Sequence, residues 1–336
     1  MAGTAPTWLR PVPGGLYCAP GDFYVDPTRA VDRAVITHGH ADHARAGHGK
    51  VLATAETLAI MAARYEEEDT PGRQALAYGE AVMVGEVTIR LIPAGHVLGS
   101  AQAVLEYNGE RIIVSGDYKR RHDPTCARFA VEPCDLFITE ATFGLPVFRH
   151  PDDGEELGKL LASRQTFPER AHLVGAYTLG KAQRIIVRLR ELGFDRPIYI
   201  HGALEGINRI YTRFGIDLGE LRLVMETEKK EMAGEIVVAP PSTLNERWSR
   251  RLPDPVTVFA SGWMRVRARA RQRAVELPLV ISDHADWDEL NTTLDDVGAP
   301  HVWVTHGAEE ALVHAATERG FAAKALALIG YEDDAE

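Results

Sequence analysis

His38-Gly39-His40-Ala41-Asp42-His43 places three imidazoles and a carboxylate within six residues. Neutral imidazole nitrogens and carboxylate oxygens suit a borderline cation such as zinc, or manganese where oxygen ligands dominate. The spacing lets His38 and His40 point to one ion while Asp42 and His43 point to a second. The apolar run Ala34-Val35-Ile36-Thr37 precedes the cluster and reads as a buried strand that ends where the histidines begin. A strand end is a rigid platform, so ligands on the turn after it are held in fixed directions. The bland alternative, a His-rich surface loop, does not account for that placement.

Two ions need ligands from several strand ends, and four further places offer a His or Asp directly after an apolar run. His96 follows Leu91-Ile92-Pro93-Ala94-Gly95, and Asp117 follows Ile112-Ile113-Val114-Ser115-Gly116. His284 lies in Val280-Ile281-Ser282-Asp283-His284-Ala285-Asp286, and His306 ends Val302-Trp303-Val304-Thr305-His306. Each alone could simply cap the next helix. With the opening cluster they form a set.

The elements that must carry these residues change character along the chain. Up to about residue 143 the pattern is short strands and tight turns, including Asn108-Gly109 flanked by apolar alternation, a strong hairpin signal. One stretch, Thr54 to Tyr65, has helical spacing. From Phe143 helices and strands alternate, which suggests a parallel sheet flanked by helices. Two apolar strands, Pro278 to Ser282 and His301 to Thr305, each followed by a helix, close the pattern.

With 336 residues and 45% hydrophobic content, two domains with full cores are possible. Three scattered cysteines exclude a disulfide framework, and no apolar run reaches membrane-spanning length, so a cytoplasmic protein with no membrane partner is expected. The net charge of −11 argues against a general nucleic-acid coat. Arginines at 265, 267, 269, 271 and 273 nonetheless form a basic segment. Extended, all five would project from one face; helical, they would spread round the axis and form no stripe.

This constellation resembles the metallo-β-lactamase superfamily, and more narrowly its β-CASP nuclease branch. The superfamily signature His-x-His-x-Asp-His stands at His38 to His43, its later histidine at His96 and its bridging aspartate at Asp117. Asp26, in Tyr24-Val25-Asp26-Pro27, resembles the motif that orients ligands from behind. The branch adds an acidic motif, here Glu140, a Ser-x-His-x-Asp-like motif at Ser282 to Asp286, and a His-Gly motif at His306-Gly307.

The resemblance implies an α/β fold: an αββα sandwich from residues 1–143 and 278–336, with an inserted α/β β-CASP lobe over 144–277 and the active site in the cleft between them. It implies two divalent ions, zinc and/or manganese, one on His38, His40 and His96 and one on Asp42, His43 and His306, bridged by Asp117. The chemistry implied is hydroxide attack on a phosphodiester, with His284 contacting the phosphate and protonating the leaving oxygen, and Glu140 holding His284. Asp42, Asp117, His284 and Glu140 are the expected catalytic residues. Arg265, Arg267, Arg269, Arg271 and Arg273, with Lys119, are expected to track phosphates.

Length and the segment Gly175 to Arg184 are most similar to the small bacterial ligase-associated DNA exonucleases, which implies a DNA substrate and association with an ATP-dependent DNA ligase and a helicase in repair. The alternative is an RNA-processing member of the branch, akin to the mRNA 3′-end endonucleases and ribonuclease J, because His at the last motif is the habit of RNA enzymes. More remote are a non-nuclease hydrolase of the same fold and a non-catalytic nucleic-acid-binding relative.

Overall fold

The computed structural model describes residues 4–66, 72–273 and 275–326. Two compact units emerge: residues up to Phe148 together with those from His284 onward, and Arg149–Asp283.

The first unit holds two sheets. One has six strands in the order Leu9–Val12, Gly15–Cys18, Phe23–Val25, Arg33–Val35, Lys50–Ala53, Arg73–Ala75. The other has seven, ordered Ala322–Ala325, His301–Gly307, Leu136–Ala141, Glu110–Val114, Ala101–Tyr107, Val87–Pro93, Ala81–Val84. Their strands bury both faces by simple alternation. Ile112 and Val114 join Leu16, Val25 and Leu52 in the core between the sheets, whereas Ile113 turns outward. There it packs with Val302 and Val304 against Leu290 and Leu294 of helix Trp287–Val297 and Leu312 of helix Glu309–Glu318. On the far side, Ala34, Ile36 and Val51 pack against Met61 of helix Ala55–Tyr65. Helix, sheet, sheet, helix is therefore the layering, an αββα sandwich. The Asn108-Gly109 turn joins Ala101–Tyr107 to Glu110–Val114 in an antiparallel hairpin, with Asn108 at φ 50° and Gly109 at φ 82° as this turn chemistry demands.

The second unit is built on a wholly parallel six-stranded sheet, ordered Leu221–Leu223, Ile198–Ile200, Ile236–Ala239, His172–Gly175, Val256–Ala260, Leu277–Leu279. Its two central strands, Ile236–Ala239 and His172–Gly175, are buried along their whole length, as parallel strands covered on both faces must be. The units part some residues beyond the expected limits of 143 and 278. Phe148 meets Phe143 edge-on with ring centroids 5.0 Å apart, and its carbonyl accepts from Trp287 N–H at 2.9 Å, so it belongs to the first unit. Leu277–Leu279 pairs in parallel with Val256–Ala260 and so belongs to the second. The expected limit at 336 lies outside the described residues. Among the described residues no helix is long and apolar enough to cross a membrane.

The arginine segment is helical. Gly262–Arg265 forms a single 3₁₀ turn and Arg267–Arg273 an α-helix. The five arginines are exposed, but four are distributed round that helix and Arg265 lies in the turn before it, so the one-faced stripe of an extended segment does not form.

Candidate metal centre

Every expected metal ligand lies in the first unit, on turns that leave strand ends, except His306, which lies within strand His301–Gly307. Four overlapping groups bring ligand atoms within 4.8 Å of one another: His38, His40, His96 and Asp117; His38, Asp42 and His43; His43, Asp117 and His306; and Asp117, Glu140 and His284. Asp117 is the hub. Its Oδ2 lies 3.3 Å from His38 Nε2, 3.5 Å from His43 Nε2 and 3.8 Å from His96 Nε2. His40 Nδ1 lies 3.1 Å from His38 Nε2 and 3.0 Å from His96 Nε2.

Asp26 organises this arrangement from behind. Its Oδ1 accepts from Thr37 N–H at 2.8 Å and its Oδ2 from the Thr37 hydroxyl at 2.5 Å. Having given its proton to Asp26, the hydroxyl accepts from His38 Nδ1, 3.1 Å away. Asp26 Oδ2 also accepts from His43 Nδ1 at 2.8 Å. Both imidazoles thus carry a hydrogen on Nδ1 and turn Nε2 inward, and on the neutral His38 ring that nitrogen offers a lone pair. Asp26 itself adopts φ 43°, a left-handed conformation that Asp tolerates better than most residues. The Thr37 relay was not foreseen; its signal is a hydroxyl residue directly before the first histidine. Ser100 plays a similar part for the other loop, where its Oγ accepts from His96 N–H at 3.0 Å.

The inward lone pair of His38 Nε2 faces the carboxylate Oδ2 of Asp117 at 3.3 Å. Two acceptors at that separation repel unless a cation stands between them, and this is the observation by which the residues fit a metal. Electrostatics agree. Burial drives the His38 ring well below its ordinary pKa, with His43, His96 and His40 acting the same way, so it is neutral and able to ligate. Burial and His43 push His306 down to about 4. Burial opposes charge on His43 too, but the carboxylates of Asp117, Asp42 and Asp26 outweigh it and hold that ring well above its ordinary value. Burial also works against ionisation of Asp42, yet His43 and His40 win and bring its carboxyl down to about 2. Asp117 goes the other way, raised by burial against the pull of His43.

His306 reaches the group through a backbone irregularity. Strand Leu136–Ala141 pairs with His301–Gly307 in register up to Glu140 and Thr305, and then Ala141 pairs with Gly307. His306 is the extra residue, at φ 59°, and the bulge re-aims its side chain. Gly307 follows at φ 80°, where an added Cβ would lie 2.4 Å from the Ala141 carbonyl oxygen.

Glu140 and His284 adjoin the ligands. Glu140 Oε2 accepts from His284 Nδ1 at 2.9 Å, and Oε1 accepts from Tyr118 N–H at 2.6 Å. The His284 ring lies 4.6 Å from that of His96, centroid to centroid. One other expectation needs correction. Lys119 is not on a phosphate-facing surface: it is 1% exposed, 3.6 Å from Glu289. Asp286, the last residue of the Ser282 to Asp286 motif, caps helix Trp287–Val297, where its side chain accepts from Asp288 and Glu289 N–H.

Residues 27–169 match the metallo-beta-lactamase superfamily. That stretch supplies every ligand except His306, in the order and on the strand ends described above. The first unit carries a metallo-β-lactamase domain. Over 317 residues the chain is 28% identical to a probable DNA ligase of Opitutus terrae, covering 93% of this chain but 30% of that protein. It is 26% identical over 368 residues to a ribonuclease of Thermus thermophilus, covering 87% of this chain and 84% of the ribonuclease. The crystal structure of a protein of unknown function from Enterococcus faecalis shares the fold, with a TM-score of 0.53 at 13% identity over 83% of this chain and 76% of that one. The sequence relatives are consistent with the β-CASP nuclease branch of the metallo-β-lactamase superfamily.

Proposed function

We propose that this chain is a metal-dependent phosphodiester hydrolase, an exonuclease acting on DNA in repair. The observation that carries the reading is the Glu140–His284 pair beside the His/Asp cluster, within 4.8 Å of Asp117. A metallo-β-lactamase ligand set alone serves many hydrolyses; a buried carboxylate-held histidine beside it adds a proton donor for an alkoxide leaving group. One ion would be held by His38, His40 and His96, and a second by Asp42, His43 and His306, with Asp117 between them. Bound there, zinc or manganese would supply Lewis acidity to the phosphate and ready ionisation of water at neutral pH. Asp26 and Thr37 keep the His38 and His43 rings turned inward. Glu140 takes the Nδ1 hydrogen of His284, which leaves Nε2 to contact the phosphate and protonate the departing oxygen.

DNA is favoured because the relative named a probable DNA ligase matches 93% of this chain; the same match supports association with an ATP-dependent ligase, with a helicase as a further partner. In this reading Arg149–Asp283 is the β-CASP insertion and its exposed arginines bind phosphates. RNA is the second reading, favoured by His306 and by the ribonuclease relative, most of whose length this chain covers. Incubation with manganese and then zinc, using 5′- or 3′-labelled DNA and RNA of equal sequence, tests both. A ladder of shortened DNA is expected. Cleavage of RNA alone moves the assignment to the second reading, and no cleavage of either sinks both.

A further inference from the structure

Lys119 is a buried ammonium two residues after the hub Asp117. Its backbone N–H donates to the Ala94 carbonyl at 3.2 Å, two residues before His96. Its Nζ donates to the His284 carbonyl oxygen at 3.1 Å and lies 3.6 Å from Glu289 Oε2. The neighbouring Tyr118 carbonyl accepts from Ala285 N–H at 2.6 Å. The peptide that follows His284 is therefore gripped at both of its polar groups, by Lys119 and by Tyr118, while the imidazole is gripped by Glu140.

We infer that Lys119 is a positioning residue for His284, fixing the backbone from which the proton-donating ring projects. This rests on the nuclease reading above. Glu140 alone fixes one ring nitrogen and leaves the ring free to pivot about that contact; the carbonyl anchor removes the pivot. A displacement of about 1 Å at a reacting group can cost on the order of 100-fold in rate. Lysine suits the task because its compact ammonium has three donors on a flexible stem. Glu289 does not depend on Lys119 for its place: its carboxylate also accepts from the N–H groups of Arg120, Arg121 and Asp286. Replacing Lys119 by a methionine of similar length therefore removes the grip on His284 while the surrounding turn keeps its other bonds.

The test uses the metal-loaded enzyme and two substrates, an oligonucleotide and the p-nitrophenyl ester of thymidine 5′-monophosphate, whose phenolate leaves without a proton. Lys119→Met and Lys119→Gln are prepared together, and whichever keeps the wild-type unfolding midpoint and bound metal is carried forward. On the oligonucleotide, His284→Ala is expected to lower kcat by about 100–10,000-fold and the Lys119 variant by up to about 100-fold, both with KM unchanged. Both should retain most of the rate on the nitrophenyl ester, and the double variant should be no slower than His284→Ala. Additive losses, or equal slowing on the two substrates, overturn the positioning role. So does a silent Lys119 variant beside a slow His284→Ala, which leaves the nuclease reading intact. A silent His284→Ala instead overturns the proton-donor assignment itself.

Discussion

Glu140 Oε2 accepts from His284 Nδ1 at 2.9 Å, and both side chains are buried beside the ligand cluster. A carboxylate in that position fixes the tautomer and stabilises the imidazolium that must give up a proton. Glu140→Gln keeps the shape but removes the charge. It should lower kcat on an oligonucleotide by about 10–100-fold while bound metal stays at the wild-type level. Loss of metal in parallel with activity would show instead that Glu140 supports the ligands through Tyr118.

Asp26 binds no ion in this scheme yet carries the Nδ1 hydrogens of His43 directly and of His38 through Thr37. In Asp26→Asn one acceptor oxygen becomes a donor, which must face either the Thr37 N–H or, at the Oδ2 position, both the Thr37 hydroxyl and the His43 ring. Either placement sets donor against donor and loosens the hold on the two imidazoles. Metal affinity should fall by about 10–100-fold, measured by competition with a chromogenic chelator. Unchanged affinity would remove Asp26 from the centre.

How much of this was legible beforehand depends on the kind of signal. The clustered His and Asp residues are legible because each follows an apolar run directly, and strand ends are positions that sequence periodicity marks well. The hairpin at Asn108-Gly109 was legible for the same local reason. What was hidden depended on pairing between distant strands. The bulge that aims His306 exists only in the register against Leu136–Ala141. Pro278 to Ser282 and His301 to Thr305 read alike as apolar strands, but Leu277–Leu279 and His301–Gly307 join different sheets. Lys119-Arg120-Arg121 reads as a surface run because charge predicts exposure; Glu289 holds Lys119 in the interior, whereas Arg120 and Arg121, paired with Asp296 and Asp286, stay partly exposed. For Arg265 to Arg273, alternation with small residues fits strand and helix alike, and the structure takes the helix.

Glu289 should make stability depend on acid pH. Burial disfavours its charge, but Lys119 and Arg121 outweigh burial and lower its pKa below the ordinary glutamate value. A lowered folded-state pKa means the contribution is complete above the unfolded value, about 4.3, and is lost as pH falls through the folded one. Glu289→Gln should therefore be less stable than wild type at pH 7, by about 1–3 kcal/mol, and the gap should close below about pH 4. Urea unfolding at pH 7, 5 and 3 measures it. A gap that is independent of pH would mean that shape, not charge, is what Glu289 contributes.

Gly116 stands at φ 56°, and a Cβ there would lie 2.6 Å from the Thr37 hydroxyl oxygen. Gly116→Ala combines left-handed strain, about 1–2 kcal/mol, with displacement of the hydroxyl that relays Asp26 to His38. Both the unfolding midpoint and the metal content should fall. If only the midpoint falls, the relay does not matter for ligation.

Arg267, Arg269 and Arg271 put the second unit's part in binding to the test. All are exposed, and Arg269 lies 3.8 Å above the ring of Trp263, which holds its guanidinium without a carboxylate. In a chain of net charge −11, an arginine helix is where phosphate contacts are expected to concentrate. Each phosphate neutralised releases counterions, so the dependence of log K on log salt steepens by about 0.9 per contact on duplex DNA. Replacing all three by alanine should weaken DNA binding and flatten that slope by up to about 3, while cleavage of the nitrophenyl ester, too small to reach beyond the metal centre, stays the same. Because the arginines surround a helix, a partial loss of slope is the expected result: one face can meet a strand while the other stays in solvent. An unchanged slope would assign the whole helix to solvent and leave DNA binding to other residues.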